Sequence, residues 1–145
     1  MKKILSLFLC MMAFITANAQ YNCSVTSSTR ETVTFRITGY GKNAKVATDE
    51  AERGAVKTIL FEGAANTQFR LPLISEEQES AEKNHAAFFE DFYGSGYKKY
   101  VNSVIVTSFG KDAQKRKCIT LDVCVKASNL RSALEKNKVV RKFGL

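Results

Sequence analysis

Arg116-Lys117-Cys118-Ile119-Thr120-Leu121-Asp122-Val123-Cys124-Val125-Lys126-Ala127 is the stretch from which the fold is read. Ile119, Leu121, Val123 and Val125 take every second position. Strict alternation with β-branched residues is the pattern of a strand with one buried face. Upstream, Tyr100 to Phe109 forms a second strand, with Val101, Ile105 and Phe109 on one face and Val104 and Val106 on the other. Gly110-Lys111-Asp112-Ala113-Gln114 supplies the turn between them, so the two pair as a hairpin.

A third alternating run lies early. In Glu31 to Thr38, Val33, Phe35 and Ile37 point one way and Thr32, Thr34, Arg36 and Thr38 the other. Gly39-Tyr40-Gly41 ends it, and Asn43 is placed to cap a helix over Ala44 to Glu62. Ala44, Ala47, Ala51, Ala55 and Ile59, with Val56 and Leu60 beside them, give that helix one small-residue stripe suited to close approach on a sheet. Gly63 is its stop signal.

Phe69 to Ile74 is apolar, but Pro72 argues for a covering loop over a central strand. Ser75 with Gln78 suggests a capping box for a second helix reaching about Tyr93, with Ala81, His85, Phe88, Phe89 and Phe92 inside. Ser128 is placed to cap a last helix, Asn129 to Lys136, that buries Leu130, Ala133 and Leu134. Gln20 to Arg30 reads as a flexible lead or an edge strand. The expected fold is α+β, in the order β-α-α-β-β-α, with a small antiparallel or mixed sheet and helices on one face.

Lys2 and Lys3, the apolar run Ile4 to Ile15, and Ala17-Asn18-Ala19 have the layout of a secretory signal peptide over residues 1–19. The expected mature chain, 20–145, is a single domain that is exported to the periplasm, the outer membrane or beyond. The apolar run is shorter than the roughly 20 residues a membrane-spanning helix needs. Neither Cys10 nor Cys23 sits where a lipoprotein signal would put its cysteine.

Net charge is +8 for the whole chain. Gln20 to Gly96 carries 8 basic and 11 acidic residues, whereas Tyr97 to Leu145 carries 12 basic and 3 acidic. Such asymmetry suits an anionic partner. In an exported chain that means an acidic protein face or an anionic surface polymer, not nucleic acid. Lys115, Arg116, Lys117, Arg141 and Lys142 are the candidate contact residues.

Among the cysteines expected in the mature chain, Cys118 and Cys124 share a strand and lie roughly 20 Å apart, too far to bridge. An intrachain disulfide would have to join Cys23 to Cys118 or Cys124. The bland alternative is three small buried hydrophobes. Their spacing fits no zinc pattern, and no cofactor motif stands out. Gly39-x-Gly41-x-x-Ala44 mimics a dinucleotide-binding turn, but no parallel βαβ unit comes after it, so it reads as a tight strand-to-helix turn. A thiol-dependent enzyme or redox protein using Cys23, Cys118 or Cys124, with His85, would need an orienting acid, and Glu90, Asp91 and Asp122 are available without one standing out. Phe88 to Tyr100 reads as core and corner, or as an aromatic groove. The Glu76 to Glu82 cluster reads as a solvated helix start.

The turn Thr38-Gly39-Tyr40-Gly41, the alanine-stepped helix after it and the late hairpin resemble small exported bacterial envelope modules. They are similar to surface-lipoprotein and FlgT-type N-terminal domains of flagellar assembly, and the short chain also resembles small secreted proteins of gut- and mouth-type bacteria. That resemblance implies a non-catalytic assembly or binding module and carries over no functional residue. The sequence thus points to a non-enzymatic envelope module binding an envelope protein or a surface polymer through a basic C-terminal half, with self-association open.

Overall fold

The computed structural model describes residues 23–142. The signal segment and Gln20 lie outside the described residues. Four strands, β1 (Cys23–Ser28), β2 (Val33–Tyr40), β3 (Val101–Lys111) and β4 (Lys117–Val125), form one antiparallel sheet in the order β1-β2-β4-β3. Helices α1 (Ala44–Phe61), α2 (Gln78–Asn84), α3 (Ala86–Gly94) and α4 (Ala127–Lys136) complete the fold, with a 3-10 turn at Gly96–Tyr100. The α+β class and the helices on one face agree with the sequence pattern. The order gains an edge strand at its start, and the second helix becomes two.

The alternation in β2 and β4 does the sorting. Val33, Phe35 and Ile37 meet Val125, Val123 and Leu121 across the ladder, and all are buried. Their neighbours Arg36, Thr38, Thr120 and Asp122 face the other way and stay in contact with solvent. They satisfy one another there: Arg36 donates twice to Asp122, each at 2.9 Å, and Thr38 bonds Thr120 at 2.9 Å.

Helix α1 lies on the apolar side. Its Asn43 cap accepts from the Val46 amide at 2.9 Å, satisfying one orphan donor of the first turn. A Cβ on Gly39 would stand 2.0 Å from the Ala47 carbonyl oxygen and 2.8 Å from the Ala51 Cβ. The glycine is therefore there so that helix and strand can touch. At the far end Gly63 takes a positive φ of 81° and donates to the Thr58 carbonyl, closing the helix. The loop after it folds back, with the Leu73 and Ile74 amides donating to the Ile59 and Leu60 carbonyls. Ile74 is buried, so the Pro72 segment covers the helix end as expected.

Two capping expectations are corrected. The Ser75 capping box does not form: α2 starts after Glu77 and has no side-chain cap. Ser128 lies inside α4, which starts after Lys126. The long second helix breaks at His85 (φ −123°, ψ 40°), letting Phe89 and Phe92 turn into the core. His85 is half-buried at that joint and not on an inner stripe.

Candidate functional site at the hairpin end of the sheet

The β3–β4 turn is built around Asp112. Its Oδ1 accepts from the Gln114 and Arg116 amides, both at 2.9 Å, and its Oδ2 accepts from Arg116 Nε at 2.8 Å. These bonds, the Arg116 backbone amide foremost, hold the Asp112 carboxyl below the usual carboxylate range. Lys115 takes the left-handed position of the turn, φ 62°. Glycine is the usual choice there, because a Cβ in that conformation costs about 1 kcal/mol or more.

Arg116 also has a structural part. Besides Asp112, its guanidinium lies over the Tyr40 ring, 4.5 Å from the centroid, and donates to the Tyr40 hydroxyl at 3.2 Å. Arg116 thus fastens the turn to β2 while its side chain stays exposed at the hairpin end. Lys117 is different. It registers directly against Lys111 across the ladder. Cross-strand partners sit about 5 Å apart, and like charges so placed are destabilising.

A residue missed from sequence joins them. The Gly41 amide donates to the Lys117 carbonyl at 3.2 Å, bringing the strand-to-helix turn and Lys42 beside the hairpin end. None of Lys42, Lys111, Lys115 and Lys117 forms a salt bridge among the described residues. Lys42 sits in the acidic half of the chain, so only strand pairing reveals it.

Arg141 and Lys142 do not join this cluster. Arg141 lines a shallow recess of about 350 Å³ with Ile74, Glu76, Arg131 and Val139. Ile74 is tied to Leu60 at the last turn of α1, whereas Lys117 adjoins the helix's first turn. An 18-residue helix separates the two ends by about 26 Å. The five candidate residues therefore fall into two places.

The thiols are also apart. Cys23 pairs in register with Ile37 on the helix-covered side and accepts from Thr58 Oγ1 at 4.0 Å. Cys118 and Cys124 occupy the even positions of β4, on the opposite side of the sheet. All three are free. The Cys23–Cys118 or Cys23–Cys124 bridge is corrected: the sheet stands between the partners. Burial pushes the Cys23 thiol up to about 11, against a weaker downward pull from Thr58, so it is protonated and a poor nucleophile near neutrality. The His85 imidazole has no hydrogen bond to a cysteine or carboxylate among the described residues.

The aromatic stretch is core and corner. Phe88 stacks on Phe92 at 5.4 Å and meets Phe89 edge-on at 5.2 Å, while the Tyr93 hydroxyl donates to Glu82 at 2.6 Å. That bond, with one from Gln78, takes up Glu82. The glycine turn is explained by contact with Ala47 and Ala51, and its helix start is capped by its own Asn43. In comparisons with known proteins, the chain matches no family model, no curated protein and no solved structure.

Proposed function

We propose that this chain is an exported, non-enzymatic binding module of the cell envelope that takes an anionic partner at the hairpin end of its sheet. The observation that carries the reading is the direct opposition of Lys111 and Lys117, with no carboxylate paired to either among the described residues. Stability alone would place opposite charges there and glycine at Lys115. Three lysines at positions that disfavour them support a surface selected for contact, since binding sites recurrently sacrifice stability. Lys42 extends the same surface from β2's end. The partner is an envelope protein with an acidic face or an anionic surface polymer. Export rests on the leader-like segment 1–19, and no described helix is long and apolar enough to cross a membrane.

The test is retention on immobilised heparin, used as a generic polyanion, over rising salt. The chain with Lys115→Glu and Lys117→Glu should elute at clearly lower salt than the parent, with an unchanged far-ultraviolet circular dichroism spectrum. Arg141→Glu with Lys142→Glu should change elution less. Equal elution of parent and hairpin variant, or retention indifferent to salt, would overturn the reading.

A further inference from the structure

Among the described residues, strand β3 has a ladder partner on one side only. From Val101 to Gly110 it carries no charge. In its middle, Val104, Ile105 and Val106 are 67%, 60% and 43% exposed. These neighbours do not share a face: Val104 registers on Asp122, on the open side, and Ile105 on Leu121, on the helix-covered side. A layer laid over either face would cover one and leave the other wet. Only a strand added alongside β3 covers both, while also pairing the free amides and carbonyls of the edge.

The edge is held ready. Ser103 Oγ donates to the buried Glu52 at 2.7 Å, and the Lys126 amide donates to the Tyr100 carbonyl at 2.8 Å. Bulges interrupt the register after Ile105 and again after Thr107. The straight stretch open to pairing is therefore Val101 to Ile105, and the bulges re-aim the rest of the strand.

Charge selects the occupant. Lys99 stands just before the straight stretch and is in no salt bridge among the described residues, whereas Lys111 lies beyond both bulges. Lys98 is spent on Asp49 and Glu52. A second copy laid antiparallel on that stretch would centre on Ser103 and leave each Lys99 facing the uncharged Thr107 with no carboxylate to meet it, and laid parallel would bring Lys99 against its own counterpart. We infer that β3 receives an extended segment of another protein, uncharged and apolar along the paired stretch and acidic at the end that meets Lys99, by strand addition. The inference rests on the proposed anionic partner for its sign of charge and names that partner as a protein.

The test titrates the isotope-labelled chain from Gln20 onward with blocked peptides of alternating valine and threonine. One has aspartates at both ends, one has lysines there, and one is the aspartate peptide N-methylated at alternate residues. The aspartate peptide should give saturable shifts at the Val101 to Ile105 amides and not at β1. Its affinity should exceed that of the lysine peptide at least tenfold, and N-methylation should abolish binding. Ile105→Lys, folded by the same spectrum, should lose binding. Absence of saturable shifts, equal affinity for both charged peptides, or a free chain that sediments as a β3-paired dimer would overturn the inference. Heparin retention without peptide binding fails this inference alone. Peptide binding with salt-indifferent heparin behaviour fails the hairpin reading alone.

Discussion

Glu52 and Ser103 are joined by a 2.7 Å hydrogen bond that ties the middle of α1 to the edge strand β3. The carboxylate is buried, and its other oxygen receives Lys98, which also reaches Asp49 at 2.6 Å. A buried acid at this place is a device for holding an edge strand in position without covering it.

Removing that acid should loosen β3 first. Glu52→Ala leaves Ser103 without its partner and Lys98 with Asp49 alone. Breaking a fully buried pair costs about 3–5 kcal/mol, but Lys98 is partly exposed and screened, so about 2 kcal/mol is expected. Urea unfolding measures the loss, and hydrogen exchange should show faster opening in β3 than in β2. Equal exchange in both strands would refute the pinning role.

The lysine pair predicts opposite signs for stability and binding. Lys111→Glu replaces a repulsive cross-strand pair with an attractive one and should stabilise the fold by about 1 kcal/mol. Lys115→Gly relieves the left-handed strain and should add about 0.5–1 kcal/mol. Both should weaken polyanion retention. Variants that are less stable than the parent would remove the argument that these lysines are kept at a cost.

Gly39→Ala should be among the most damaging small substitutions. Its Cβ would collide with the Ala47 carbonyl oxygen at 2.0 Å, and backbone cannot swing aside. Overpacking of this kind costs about 3 kcal/mol or more. A melting temperature within a degree or two of the parent's would show that α1 sits farther from the sheet.

Acid should unfold the protein through its paired carboxylates. Hydrogen bonds from Arg36 hold Asp122 below its usual range. At Asp49 burial pushes upward, but hydrogen bonds from Lys98 and Lys45 outweigh it and hold that carboxyl low as well. A depressed folded value means stability that is whole above the unfolded carboxylate range, about 3.9, and is lost as pH falls through the folded values. Melting temperature should hold from pH 7 to about 5 and drop below about 4, less steeply in Asp122→Asn. An unchanged slope in that variant would count against the Arg36 pair.

Cys23 sets the alkaline side. Its pKa is raised from the ordinary 9.0 to about 11, so its contribution is complete below 9 and is lost as pH rises between the two values. In the folded chain at neutral pH it should react with iodoacetamide far more slowly than in urea, read by mass spectrometry. Fast labelling of Cys23 would reopen the thiol-enzyme reading.

Local pattern told much of this in advance. Alternation in β2 and β4 assigned both faces correctly, and Asn43 marked the start of α1, because neighbours along the chain decide each. Strand order is a different matter. Nothing within Val101 to Phe109 says that β3 is an edge, so the exposure of Ile105, apolar and on the inward side, was not legible. Nor was the break at His85, since burial of Phe89 and Phe92 wins over helix continuity only once a core exists. Lys42 belonged to the acidic half by count and to the basic end by pairing.

The sheet also works as a partition. Cys23 lies on one side of it and Cys118 and Cys124 on the other, the latter two roughly 20 Å apart along their strand. No pair among these three meets the reach of a disulfide. Within one chain, oxidants therefore act on each of these three thiols singly, as a sulfenic acid or a mixed disulfide with another molecule's thiol. The described fold holds together with no bond between any two of these three thiols.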